Sequence, residues 1–401
     1  MNDVLSHSGL TAISAALRQA VESDAVPGLV ALIEHRGKVV LHEACGYQDT
    51  ALATPMRTDS IFRIASMTKP ITAAATLMLI EEGQLGLDDP IERWLPELSG
   101  LRVLRQEGAA LTDTITAERP ISVQHLLTHT AGFGYDFTTP GPLGEALAAI
   151  YDSDRMVLAD GRCWLQRLGE LPLACQPGAH FQYGLSSDVL GALIERITGC
   201  AVDGFLRERL FEPLDMRDTG FVVRPDQWKR MASVYAVDPL TGARTREDPG
   251  GAVSGWSSAP IACSGGGGLI ATAADYRAFA SMLRCCGLHA GRRILSTRSV
   301  AMMTAQYLSA EQRAIPFMGF PFWAWQGMGL GVAVVDGDPG LHPSQNHASP
   351  GSFNWPGALG TWWLVDPREE LVMIVMLQLR NAWGRSPHGL LQALTYRALN
   401  R

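Results

Sequence analysis

Residues 71–82 carry apolar side chains at helical spacing, and the nine residues before them fix how that helix begins: Phe62-Arg63-Ile64-Ala65-Ser66-Met67-Thr68-Lys69-Pro70. Pro70 belongs in the first turn, where no backbone hydrogen bond is lost, whereas deeper in it would break the helix. A β-type run over 60–64 gives way to the helix at Ser66. A serine at that point has its backbone N–H among the unpaired donors of a helix N-terminus. Helical residues three apart share a face, so the Lys69 amine can reach the Ser66 hydroxyl. Serine is a weak nucleophile until a base takes its proton, and a serine with a lysine is one recognised solution. At this stage a plainer reading stays open, in which Ser66 caps the helix and Lys69 is a solvated first-turn residue.

The rest of the chain supplies the frame. Leu10, Ile13, Leu17 and Val21 form an amphipathic helix that ends before Pro27. Strands over 29–34 and 39–43 are joined at Arg36-Gly37-Lys38, a connection short enough to require antiparallel pairing. After the helix that begins at Ser66, a turn over 85–91 leads into a short element ending near Leu95-Pro96, and from there to about Asp218 the pattern is mainly helices and loops, with helices over 122–128, 188–198 and 202–211, Gly199 stopping the middle one, and no strand-like alternation of any length. Beyond Asp238 come a glycine run at 265–268, a helix from Asp275, strands over 330–335, 360–365 and 371–379, and a last helix through Leu390, Leu391 and Leu394. The glycines lack a phosphate-binding frame, so they imply close backbone packing. The expected fold is α/β (α+β), an antiparallel sheet flanked by helices with an inserted helical domain. Residues 1–70 and 240–401 would form the sheet domain and 71–239 the helical one, with the active site in the cleft between them.

Composition narrows the function. Among 401 residues, 33 Lys and Arg against 40 Asp and Glu give a net charge of −7, with no basic run, so nucleic acid and anionic membranes are poor partners. No stretch offers ~18 consecutive apolar residues, and the N-terminal eight residues lack the marks of a secretory signal. Seven scattered cysteines without C-x-x-C spacing fit reduced thiols in a cytoplasmic protein rather than a metal site, and the neighbours Cys285 and Cys286 receive no function. No metal or cofactor is implied.

Two later stretches complete the candidate chemistry. Tyr183 sits in a turn before the helix over 188–198, and the glycine-containing turn at Trp355-Pro356-Gly357-Ala358 leads into a strand, where a backbone N–H can face a substrate carbonyl. Taken in order, Ser66-x-x-Lys69, Leu126-Leu127-Thr128-His129-Thr130-Ala131-Gly132, Tyr183-Gly184-Leu185 and Trp355-Pro356-Gly357 resemble the serine β-lactamase and penicillin-binding-protein superfamily. The resemblance runs from about Leu10 to the C-terminus and is strongest to the class C branch and the family VIII carboxylesterases. It implies that Ser66 is the acylated nucleophile, Lys69 its partner and Tyr183 the general base and acid. It also implies an oxyanion hole of the Ser66 and Ala358 N–H groups, and a structural role for His129.

Departures from that pattern set the expected substrate. Leu185 stands where class C enzymes have asparagine, and Trp355-Pro356-Gly357 stands for K-T-G, which trades polar and positive groups for apolar surface. A small neutral ester is therefore expected over an anionic lactam, with Phe133, Tyr135, Leu185, Trp355 and Gly357 as substrate-binding residues. Aromatic clusters at Phe133-Gly134-Tyr135-Asp136-Phe137 and over 317–325 serve either as core or loop packing or as the wall of an acyl or alcohol pocket, and the second could equally be a contact in a homo-oligomer. The rival activities are a β-lactamase or D-amino-acid amidase on the same scaffold, a transesterase, and a sensor that acylates without turnover.

Overall fold

The computed structural model describes residues 5–159, 161–337, 348–380 and 385–399; residues 1–4, which open the N-terminal stretch read above, lie outside them. Its main element is an eight-stranded, wholly antiparallel sheet. The strands run, from edge to edge, Gln326–Met328, Ala333–Val335, Phe353–Asn354, Trp362–Asp366, Leu371–Met376, Gly28–His35, Lys38–Asp49 and Thr54–Pro55. Both chain ends thus build one sheet, and the pairing of Val30 with Met376 joins them at its centre.

Every residue of the two central strands is buried. This explains why residues 29–33 read as continuously apolar rather than alternating: a strand covered on both faces has no polar side. Alternation instead divides two cores. Val30, Leu32, Ile374, Met376 and Trp363 face one core, which also takes the helices Thr68–Glu81 and Ala273–Arg284. Leu29, Ala31, Ile33, Met373 and Val375 face the other, closed by the helices His7–Glu22 and His388–Ala398.

The inserted subdomain carries the helices Val123–Leu127, Ser186–Thr198 and Val202–Leu206, the last continuing as a π-helical turn, Arg207–Phe211. Gly199 ends the middle one in a left-handed conformation at φ 71°, as its position implied. It is not free of strands. Arg102–Leu104 pairs with Thr114–Thr116 and Tyr151–Asp152 with Val157–Leu158, ladders too short to print an alternation on the sequence. The expected strand over 371–379 stops at Met376, and Leu379–Arg380 moves to a second sheet beside Val234–Val237. That over 330–335 begins only at Ala333, because Gly331, at φ 82°, makes the preceding residues a turn.

Candidate active site

Ser66 occupies a single 3-10 turn, Ala65–Met67, that feeds the helix Thr68–Glu81. Across residues 60–79 every residue is buried except Ser66. The turn is held against strain. Ala65 sits at φ 48°, a left-handed conformation costing a residue with a Cβ about 1–3 kcal/mol, which persists where neighbours over-determine it. Here the Ile64 N–H donates to the Leu269 carbonyl at 3.0 Å and the Tyr276 hydroxyl to the Met67 carbonyl at 3.0 Å. No side chain caps this helix, so the Ser66 hydroxyl is not spent on capping and the plainer reading falls.

Two polar groups converge on the Ser66 Oγ instead. The Tyr183 hydroxyl donates to it at 2.7 Å and the Lys69 Nζ at 3.2 Å. Lys69 is 2 % exposed, with its ammonium 4.7 Å from the centroid of the Tyr183 ring. His129 supports Tyr183 from behind: its ring lies 5.1 Å from the Tyr183 ring and nearly parallel to that of Trp355, while its carbonyl accepts from the Gln182 N–H at 2.7 Å. Burial, then the nearby Lys69, holds the His129 imidazole well below its usual pKa and keeps it neutral. A packing role suits it.

Behind Lys69 lies a layer that sequence reasoning missed. Lys69 Nζ also donates to the Gly266 carbonyl at 2.7 Å, and the N–H of the same glycine donates to Asp188 Oδ1 at 3.2 Å. Asp188 further accepts from the Ser264 hydroxyl at 2.5 Å and the Tyr135 hydroxyl at 3.4 Å. Burial pushes its carboxyl above the usual range, while the Ser264 hydroxyl, the nearby Lys69, the Gly266 N–H and the Tyr135 hydroxyl oppose that rise by favouring the ionised form. Burial and then the Asp188 charge push the Tyr135 hydroxyl well above its usual pKa and keep it protonated as a donor. An acidic residue in a helix's first turn reads as a partner for the helix dipole, so Asp188 gave no distinct signal. The glycine run gave half of one. A Cβ at Gly266 would stand 2.5 Å from Asp188 Oδ2 and one at Gly265 2.5 Å from the Ser187 carbonyl, so the close backbone packing inferred for the run is what lets it reach Lys69.

On the other side of Ser66, the turn through Ala358 packs against the nucleophile's own loop. Thr361 Oγ1 donates to the Ile64 carbonyl at 3.3 Å, and a Cβ at Gly357 would stand 2.5 Å from that carbonyl, so glycine is needed for the approach. Among the described residues neither the Ser66 nor the Ala358 N–H has a hydrogen-bond acceptor. Ala358 is exposed.

The substrate-binding candidates are placed less simply. Leu185 is fully buried and offers no surface, and the Tyr135 hydroxyl faces Asp188, so both expectations of a pocket wall are corrected to support roles. Hydrophobic side chains beside a site fill the core first, and sequence alone does not rank which reach solvent. Phe133 and Trp355 are each 3 % exposed, and Gly357 acts through its missing side chain. Instead the half-exposed Phe137 and the partly exposed Phe317 flank Tyr183, with ring centroids at 6.5 and 5.6 Å. Phe322, from the same aromatic cluster as Phe317, packs against Trp355.

The chain has known relatives. The family model described as Beta-lactamase matches residues 13–396. Protein Rv1367c of Mycobacterium tuberculosis (strain ATCC 25618 / H37Rv) is 38% identical over 91% of this chain and 88% of its own length. Esterase EstB of Burkholderia gladioli is 33% identical over 91% of this chain and 89% of its own. Among solved structures, EstCE1, "a hydrolase with promiscuous acyltransferase activity", superposes with a TM-score of 0.81 at 26% identity, covering 97% of this chain and 99% of that one.

Proposed function

We propose that this chain, which belongs to the β-lactamase family as a serine hydrolase of its esterase and acyltransferase group, cleaves small carboxylic esters through an acyl-enzyme on Ser66. One observation carries the reading: the Tyr183 phenol oxygen and the Lys69 side-chain nitrogen both rest on one partly exposed serine oxygen. In this mechanism the Tyr183 and Lys69 pair, in the form that has lost one proton to solvent, takes the Ser66 proton as Oγ attacks the ester carbonyl. Unpaired N–H groups of Ser66 and Ala358 hold the resulting oxyanion. As the carbonyl re-forms, the ester C–O bond breaks and the alcohol leaves with the proton returned from Tyr183. Water then attacks the acyl-enzyme, gives its proton to the same pair and releases the acid and free Ser66.

A second reading is favoured by the likeness to EstCE1: an alcohol replaces water in the last step and the product is a new ester. The lactamase and amidase readings rank lower because Leu185 and Trp355-Pro356-Gly357 offer neither the amide nor the charge that would hold an anionic lactam. Substrate would enter the cleft between a sheet domain of 1–70 with 240–401 and a helical domain of 71–239. Seven free cysteines support a reducing, cytoplasmic setting. Among the described residues no helix is long and apolar enough to cross a membrane.

The test is hydrolysis of p-nitrophenyl butanoate by the wild type and by Ser66→Ala, with intact-mass analysis of quenched wild-type reactions. The expected result is a fall in rate on the order of 10³ or more in the variant, and a butanoyl adduct on the peptide containing Ser66 in the wild type. Equal rates in the two proteins would overturn the proposal.

A further inference from the structure

We propose that Phe137 and Phe317 clamp the leaving alcohol and select esters whose alcohol half is aromatic or comparably bulky and apolar. The inference rests on the Ser66 and Tyr183 reading above. In that mechanism the departing oxygen takes its proton from the Tyr183 hydroxyl, so it must come within about 2.6–3.2 Å of that group. The rest of the alcohol then lies beside whatever flanks Tyr183 on its open side.

Most of the rings around Tyr183 are closed to solvent. His129, Tyr135, Phe181 and Trp355 are each no more than 8 % exposed. Phe137, at 51 %, and the partly exposed Phe317 are the flanking rings that meet the outside, and both stand edge-on to Tyr183.

Neither is loosely held. The turn bearing Phe137 is pinned to Tyr183, because Thr138 Oγ1 donates to the Tyr183 carbonyl at 2.6 Å and accepts from the Tyr135 N–H at 2.9 Å. Phe317 begins a two-residue turn in which it and Phe320 exchange backbone bonds of 2.9 and 3.0 Å. Met318 and Gly319 both lie at positive φ, 52° and 78°, as a type I′ turn requires. Two independent backbone devices thus hold two solvent-reaching apolar rings against the Tyr183 ring. A single exposed phenylalanine is unremarkable, but two rings that both reach solvent and both stand against the same tyrosine offer a ligand apolar surface on that tyrosine's flanks.

Charged groups neighbour the mouth. Asp136 accepts from the Ser153 hydroxyl at 2.5 Å, and Arg313 pairs with Asp336 at 2.6 Å. Arg313 is spent on Asp336, whereas the neutral Ser153 hydroxyl does not offset the Asp136 charge, so an anionic alcohol is disfavoured here, while an aryl or cycloalkyl group finds two ring faces or edges.

The test compares kcat/KM for benzyl and ethyl butanoate, whose alcohols are of similar acidity, in the wild type, Phe137→Leu, Phe317→Leu and the double alanine variant. The wild type should favour the benzyl ester by about tenfold or more, with the ratio falling about threefold in each leucine variant and towards unity in the double variant. A parallel series with the alcohol fixed, ethyl acetate against ethyl phenylacetate, should keep its ratio. A benzyl-to-ethyl ratio that survives the double variant, or a shift confined to the acyl series, would overturn the clamp. Butanoyl-Ser66 formed from both esters with a flat ratio removes the clamp and leaves the Ser66 reading standing; no acyl-Ser66 from either removes both.

Discussion

The floor of the site and its mouth are built by opposite rules. Beneath Ser66 the groups are polar, dry and fully committed: Lys69 to the Ser66 Oγ and the Gly266 carbonyl, and Asp188 to Ser264, Gly266 and Tyr135. At the mouth the groups are apolar, partly wet and held by turns, with Phe137 and Phe320 51 % and 68 % exposed. Polar groups fixed in a low-dielectric setting cost nothing to reorganise when charge develops, which is why they serve reaction chemistry. Apolar area discriminates by size and tolerates replacement. Substitutions in the floor should therefore lower turnover of every ester alike, while substitutions at the mouth reorder esters without silencing them.

The largest break in that contrast is Tyr183→Phe. It keeps the ring contacts with His129, Phe137 and Phe317 and removes only the hydroxyl 2.7 Å from Ser66 Oγ. Loss of a general acid and base should lower kcat/KM by a factor on the order of 10²–10⁴ for ethyl and benzyl esters equally. A loss seen with one ester only would place Tyr183 among the selectivity residues instead. Gly266→Ala comes next. Its Cβ would meet Asp188 Oδ2 at 2.5 Å and the Tyr135 hydroxyl at 2.8 Å, so the peptide that carries the Lys69 acceptor must move. Overpacking of this kind costs about 1–3 kcal/mol of stability, measurable by urea unfolding. A displacement near 1 Å lowers turnover by about 10²-fold. Wild-type turnover in this variant would show that the glycine run is only filler.

The parts of this architecture written in local sequence were readable, and those that depend on what lies opposite were not. A proline in a first turn and a serine three residues before a lysine state their geometry directly, and Ser66 and Lys69 stand at the helix start where the sequence put them. The strands at both chain ends declared the antiparallel sheet. Asp188 did not declare itself, because one acidic residue at a helix start looks the same whether it faces water or a buried ammonium, and the partner peptide at Gly266 is 78 residues away. Leu185 misled for the same reason: motif position suggested contact with substrate, and packing put the side chain in the core. Phe137 stood out only as one member of the aromatic cluster over 133–137, since what distinguishes it from Phe133 is exposure, which only the packed chain defines.

Asp188→Asn sharpens the comparison most finely, because it changes charge with almost no change of shape. The amide can still accept from Gly266 and Ser264 through its oxygen, so the floor keeps its form while losing its buried anion. The titratable groups around Asp188 are Lys69, Tyr135 and Tyr151, with Tyr183 beyond the two tyrosines and neutral His129 beyond Lys69, and the proton that each of them can give up leaves its group more negative. A nearby negative charge makes that loss harder for an ammonium and for a phenol alike, so removing it makes the loss easier whichever member of the Lys69 and Tyr183 pair is the base. The acid limb of the kcat/KM profile should therefore move to lower pH in Asp188→Asn, with a plateau lowered by about tenfold or less, as weaker positioning of Lys69 permits. The shift should be the same for ethyl and benzyl butanoate, since the mouth is untouched. A lowered plateau with an unmoved acid limb would mean that Asp188 merely braces the Gly266 peptide and that its charge takes no part in setting when the base is ready.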